Sequence, residues 1–194
     1  MLNKEYLNEM FNGALTFELS KYSHIEFSYT SDNVPSTGKA IHDMYVNAIR
    51  YKGLFRVLNS SNEASKLYFT PETNLLYRTL HDLHHAEAYA IGGGGTTKIC
   101  DELRLNCKMA WLAFSYTLSR DNLENALAVF FAVYHDNVGQ VNYWKENQDF
   151  CIDQNANTVK LLNECIGVQN LINGRTSQAK QVMLGYMKIC NFTG

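Results

Sequence analysis

Helix-breaking residues are scarce in this chain, and that scarcity limits the folds open to it. Pro35 and Pro71 are the only prolines in 194 residues. Between the few breakers, apolar residues recur every three to four positions, which places them on one face of an α-helix. We therefore predict an all-α, single-domain helical bundle over residues 1–194, a length that suffices for one sizeable core.

Seven helices are predicted, with a small irregular or strand-like segment near residues 24–40. The clearest boundary precedes the third helix, where Thr70 can cap the first turn and Pro71 needs no hydrogen-bond donor. The predicted helices cover residues 3–19, 36–58, 71–91, 97–118, 123–147, 155–172 and 177–189.

Four consecutive glycines, residues 92–95, separate the third and fourth predicted helices. Glycine has maximal backbone freedom, so we expect a flexible connection in which nothing packs. If a substrate binds nearby, this segment could close over it as a lid, with Lys98 near a phosphate.

Charge and cysteine content narrow the classes of partner. Seventeen basic and nineteen acidic residues give a net charge of −2, without a block of either sign. Composition therefore indicates no nucleic-acid or membrane partner; it leaves a small-molecule substrate and permits a homo-oligomer. Five widely spaced cysteines without a CxxC pair predict free thiols and a cytoplasmic location. The longest apolar run, residues 126–134, is too short to span a membrane.

The stretch YRTLHDLHHAEAY, residues 77–89, holds three of the six histidines. On a helix, His81 and His85 lie one turn apart on the same face, with Asp82 beside them. Imidazole and carboxylate donors this close predict a divalent metal site for zinc, manganese, cobalt or iron. If these side chains lie on the solvent face instead, they carry no function, and that alternative stays open.

A metal site needs ligands from other segments as well. His42 in the second helix, Glu102 in the fourth and Asp136 in the fifth are candidates, and Asp136 follows an apolar run in which a carboxylate is costly to bury. Substrate contacts are expected from neighbouring side chains: Arg78, Tyr89, Lys98, Arg104 and Gln140.

A lone histidine, an adjacent His-Asp pair and a distant aspartate on an all-α scaffold resemble the HD-domain metal-dependent phosphohydrolases. The matching residues are His42, His81 with Asp82, and Asp136. The resemblance implies that these four bind the metal, that Asp82 and Glu87 act in catalysis, and that a metal-bound water attacks a nucleotide or other small phosphoester.

The pattern YRxxHDxxH, followed by an acid and then by Gly-Gln, is similar to one in small uncharacterised bacteriophage proteins. That similarity implies no activity, so the chain is alternatively a non-enzymatic binding or inhibitory protein. Its polar cluster would then be a structural metal site or a ligand pocket, and a phage protein would work in the host cytoplasm.

The segment HDLHH also has the outline of a zincin helix. In that interpretation His81 and His85 bind the metal, Asp82 takes the general-base position, and Glu102, 17 residues after His85, is the third ligand. This second alternative is a zincin-like metal hydrolase. It differs from the phosphohydrolase interpretation in requiring Glu102 rather than His42.

Overall fold

The structure, a computed structural model, describes residues 3–32, 34–92, 95–149 and 151–194. In this part the fold is all-α, as predicted, with eight helices, one 3₁₀ turn at Ser20–Tyr22 and two short strands. The helices are α1 (Lys4–Leu19), α2 (Gly38–Tyr51), α3 (Pro71–Ala90), α4 (Ile99–Leu118), α5 (Leu123–Asn147), α6 (Gln154–Glu164), α7 (Ile166–Ile172) and α8 (Thr176–Ile189); the strands are β1 (Phe27–Thr30) and β2 (Phe55–Leu58).

Local capping chemistry sets where α3 begins. The Thr70 hydroxyl accepts a hydrogen bond from the Thr73 backbone N–H at 3.3 Å, and Pro71 occupies the first turn. The hydroxyl thereby satisfies one of the donors that a helix start leaves without a partner. The predicted start of this helix is confirmed.

The predicted second helix is wrong in its last part. Instead of continuing to residue 58, α2 ends at Tyr51, and Lys52 turns the chain in a left-handed conformation with φ of 53°. The chain then forms β2, which pairs in parallel with β1, Phe27 opposite Phe55. Because parallel strands need a crossover between them, α2 provides that connection.

The predicted helix over residues 155–172 is two helices. Cys165 has an extended backbone, with φ of −73° and ψ of 116°, and therefore separates α6 from α7. After this bend, Gly167 lies so close to α5 that a β-carbon there would be 2.2 Å from the Phe131 ring. The break lets α7 pack tightly against the centre of the molecule.

The centre of the core is α5. Every residue from 126 to 139 is buried, so this helix is covered on all sides rather than along one stripe. It packs most extensively against α4, and α4 also contacts α3. Polar side chains of α3, α4 and α5 are thereby brought close together. Within the described part of the chain, no helix combines the length and apolarity needed to cross a membrane.

Candidate metal centre

Two rows of polar side chains face each other across the contact between α3 and α4. On α3, Tyr77, His81 and His85 are four residues apart and share a face, as do Glu102 and Asn106 on α4. The Tyr77 hydroxyl donates to the Asn106 side-chain oxygen, and both histidines face Glu102. The helical spacing thus places Tyr77 opposite Asn106, and His81 and His85 opposite Glu102.

His81, His85 and Glu102 converge on one point. Nε2 of His81 lies 3.3 Å from one Glu102 carboxylate oxygen, and Nε2 of His85 lies 3.2 Å from the other. One donor atom from each of the three residues can be chosen so that all lie within 4.8 Å of one another. Among the described residues, this is the group of histidine, cysteine and acidic side chains that could hold a metal ion.

The opposite ring nitrogens of the two histidines face acceptors. Nδ1 of His85 lies 3.1 Å from the Gly95 carbonyl oxygen, and Nδ1 of His81 lies 3.9 Å from the Asp82 carboxylate. Because a carbonyl oxygen only accepts, His85 carries its proton on Nδ1. Metal-binding histidines usually direct the outer N–H at a carbonyl or carboxylate and leave the inner nitrogen to the ion; His85 makes that hydrogen bond, whereas Asp82 faces His81 from beyond hydrogen-bond distance.

The inner contacts need a positive charge. A neutral His85 with its proton on Nδ1 would direct the lone pair of Nε2 at a carboxylate oxygen only 3.2 Å away. Either a second proton or a cation removes that repulsion. Two donors each 2.0–2.1 Å from a tetrahedral zinc ion are about 3.3 Å apart, which matches the observed spacing. His81 Nε2 is buried and makes no hydrogen bond within the described structure.

Without an ion, protonation of His81 supplies the charge. Burial lowers the pKa of His81, but the carboxylates of Asp82 and Glu102 outweigh it and raise this pKa to about 9. Burial raises the pKa of Glu102, but the two histidines hold it well below its usual range. The metal-free cluster is therefore an imidazolium–carboxylate group, and a metal must displace a proton to bind.

Gly95 is closely packed, which corrects the expectation that nothing in the glycine segment packs. Its φ is +79°, and a β-carbon there would lie 2.3 Å from the His85 carbonyl oxygen. Gly38, in the first turn of α2, approaches from the other side, where a β-carbon would lie 2.2 Å from the Gly95 oxygen. Gly93 and Gly94 lie outside the described residues, so the lid remains a prediction.

A cleft of about 660 Å³ adjoins the cluster through Glu102. The side of α5 that borders it carries Asn137, Gln140 and Trp144, spaced so that they share one face. Gln140, predicted to contact a substrate, is therefore at the cleft. Asn137 and Trp144 were not predicted, although their helical spacing from Gln140 was a signal that could have indicated them.

His42 lies outside the cluster. Its Nδ1 is 3.1 Å from the Ala86 carbonyl oxygen, and its ring packs against Tyr89 with centroids 5.5 Å apart. Both side chains are thus engaged with each other on the α2–α3 contact. The structure brings neither to the point where His81 and His85 meet.

Asp136 is also elsewhere. It accepts a hydrogen bond from the Thr158 hydroxyl at 2.9 Å and borders a smaller cavity of about 180 Å³, which shares Tyr77, Asn137 and Gln140 with the cleft. Burial raises its pKa to about 7. With His42 and Asp136 both absent from the group, the four residues of the phosphohydrolase pattern are not gathered at one site in this structure.

The remaining predicted residues have other contacts. The Glu87 carboxylate accepts from the Tyr22 hydroxyl at 2.6 Å, and Arg78 donates to the carbonyls of Leu58, at the end of β2, and Ser60 at 3.0 and 2.7 Å. Arg104 lies 3.7 Å from Asp101 on its own helix, and Lys98 is exposed directly before α4.

Asp82 is placed behind His81, on the side of the ring away from Glu102. That position suits an acceptor that orients the ring, since such partners fix the tautomer of a metal-binding histidine. Its predicted part in the chemistry stays a prediction.

Comparisons of the chain with protein-family models, with curated proteins and with solved structures found no match. The function is therefore inferred from the site alone.

Proposed function

We propose that the chain binds one divalent metal ion through Nε2 of His81, Nε2 of His85 and the carboxylate of Glu102, and that it is a metal-dependent hydrolase. One observation carries the proposal: both histidines turn Nε2 towards Glu102 while their outer nitrogens face acceptors. An ion explains both orientations together.

Zinc is the proposed ion. Neutral imidazole nitrogens and a carboxylate suit zinc, and two histidines with one glutamate form a known type of catalytic zinc site. Manganese, iron and cobalt accept the same donors and are the competing occupants. The relative affinities of the four metals decide among them.

A catalytic role is favoured over a structural one by the number of ligands and by the cleft. Structural zinc sites usually have four protein ligands, whereas catalytic sites have three and keep one position open. An ion held here would lower the pKa of a bound water and polarise an oxygen of the bond to be cleaved. Glu102 also borders the cleft, so a molecule in the cleft lies next to the ion.

The residues gathered by the fold favour the zincin-like set over the phosphohydrolase set. Glu102 faces both histidines, whereas His42 is engaged with the Ala86 carbonyl and Asp136 with Thr158. Hydrolysis is common to both resemblances, so the reaction class does not depend on this choice.

Metal content tests the ligand set. We expect one zinc ion per chain in protein purified without chelators, and loss of that ion in Glu102→Gln and His81→Ala. His42→Ala and Asp136→Asn serve as controls, because both residues lie outside the cluster, and they should retain full occupancy. Loss of zinc in both controls together with retention in Glu102→Gln would reverse the ligand assignment.

Activity tests the enzymatic role. Zinc-loaded protein should hydrolyse at least one of three chromogenic compounds: an anilide of 4-nitroaniline, the acetate ester of 4-nitrophenol or the phosphate ester of 4-nitrophenol. Glu102→Gln should hydrolyse none of them. A bound ion with no turnover of these or any other hydrolysable compound would favour the non-enzymatic binding protein instead.

A further inference from the structure

The lining of the cleft beside Glu102 indicates what kind of molecule enters it. Asn137, Gln140 and Trp144 line one wall, and Tyr77 and Asn106 line the wall opposite. This wall composition combines amide groups with aromatic rings. Pockets with few well-placed polar groups on an otherwise apolar surface are typical of small-molecule sites.

Two amide groups on the α5 wall lack partners. The side-chain nitrogens of Asn137 and Gln140 are buried and make no hydrogen bond within the described structure, and Asn137 is only 3% exposed. Buried donors normally have acceptors, and both residues border the cleft, so a bound molecule with oxygen acceptors would complete both once the side chains turn towards it. Asn106 differs, because its nitrogen donates to the Glu102 carbonyl at 2.9 Å and its oxygen accepts from Tyr77.

The charge of the lining disfavours a phosphate. No described residue that borders the cleft is positively charged, and Glu102 is the ionisable acid there. The nearby start of α4 has no side-chain cap, but its first turn carries two acids, Asp101 and Glu102, which oppose the binding of an anion there. Proteins bind phosphates mainly with arginine and lysine, and no described residue of this lining is either of them.

We propose that the cleft binds an uncharged planar ring with carbonyl oxygens, of the class of nucleobases and cyclic imides. One carbonyl oxygen accepts from Asn137 and Gln140, the ring lies against Trp144, and a second carbonyl is next to Glu102. This inference rests on the proposed hydrolase function for its reaction: water adds its oxygen to the carbonyl carbon, the carbon–nitrogen bond breaks, and nitrogen takes the proton. The products are a carboxylate and, on the same opened chain, an amide from an imide or a urea group from a dihydropyrimidine; the second proton of the water is released to solvent.

Calorimetry on the zinc-loaded full chain tests the binding, with uracil and phenyl phosphate as probes of similar size and shape. We expect uracil to bind at least tenfold more tightly than phenyl phosphate. Gln140→Leu should weaken uracil binding at least tenfold without changing zinc content, whereas Gln178→Leu, an exposed position on α8, should change neither. Dihydrouracil and succinimide, followed by loss of ultraviolet absorbance, test the ring opening.

Three outcomes separate the two proposals. Tighter binding of phenyl phosphate, or uracil binding that is unchanged in Gln140→Leu, overturns the inference about the ring while zinc content still supports the metal site. Uracil binding without any bound zinc supports the ring but overturns the hydrolase. Binding of uracil with zinc present but no ring opening overturns the reaction proposed for the ring.

Discussion

Replacing Asp136 by asparagine should change how the stability of the protein depends on pH. Asp136 is buried in α5, and burial raises its pKa from 3.8 to about 7, against the opposing effect of the hydrogen bond from Thr158. The folded state therefore disfavours the ionised carboxylate. Asparagine has nearly the same shape and keeps an oxygen that can accept from Thr158, so the substitution removes the charge with little change in packing.

The sign and size follow from linkage. Well below pH 3.8 the carboxyl is protonated in both states, so the penalty is absent. Between about pH 4 and 7 it ionises only in the unfolded state, so the free energy of unfolding falls as pH rises, and above pH 7 the loss is complete. A difference of about three pKa units corresponds to about 4 kcal/mol.

Urea unfolding, followed by circular dichroism at pH 4, 6 and 8, measures the effect. The stability of Asp136→Asn relative to the parent should increase by about 4 kcal/mol between pH 4 and pH 8. Other titrating groups, including His81, are common to both proteins and cancel in this difference. A relative stability that stays constant within about 1 kcal/mol across this range would refute the claim that burial of the ionised Asp136 carboxylate destabilises the folded state.

Three other perturbations test the described contacts. Zinc at a hundred times its dissociation constant should stabilise the parent by about 2.7 kcal/mol and raise its melting temperature by roughly 5–10 °C, but not that of Glu102→Gln; an equal shift in both contradicts the ligand set. Gly95→Ala should destabilise by about 3 kcal/mol or more, because its β-carbon meets the His85 backbone, whereas Gly92→Ala, at φ +66° with open space around it, should cost about 1 kcal/mol in urea unfolding. Arg78→Lys should lose about 1–3 kcal/mol by the same measurement, because the shorter lysine side chain does not reproduce the two bonds that the guanidinium Nη1 donates to the Leu58 and Ser60 carbonyls; unchanged stability would show that those bonds contribute nothing.

Helices set by local chemistry could be predicted from the sequence. Thr70 and Pro71 fix the start of α3 within a few residues, and no distant contact is needed to place it. The strand Phe55–Leu58 could not be predicted in this way. Its four residues are too few to distinguish a strand from the end of a helix, and its partner β1 is more than twenty residues earlier.

The residues of the candidate site also differ in whether local sequence is enough to predict them. His81 and His85 could be paired from sequence, because helical spacing alone puts them on one face. Glu102 was only one of three candidates for completing the site, because which side of α4 meets α3 depends on packing across the whole bundle. Asn137 lies next to a long apolar run, and nothing in that run tells which of its sides meets a cleft.

The two candidate metal-binding histidines differ in what their outer nitrogens face, and this affects how the site can be altered. His81 faces a side chain, Asp82, whereas His85 faces the main-chain carbonyl of Gly95. Substitution at position 82 can change the basicity of one ring gradually, through amide, hydroxyl or apolar replacements. No substitution deletes a main-chain oxygen, so the basicity of the His85 ring cannot be changed in this way. In directed evolution of this centre, most substitutions that adjust a ligand histidine would therefore act on His81 and not on His85.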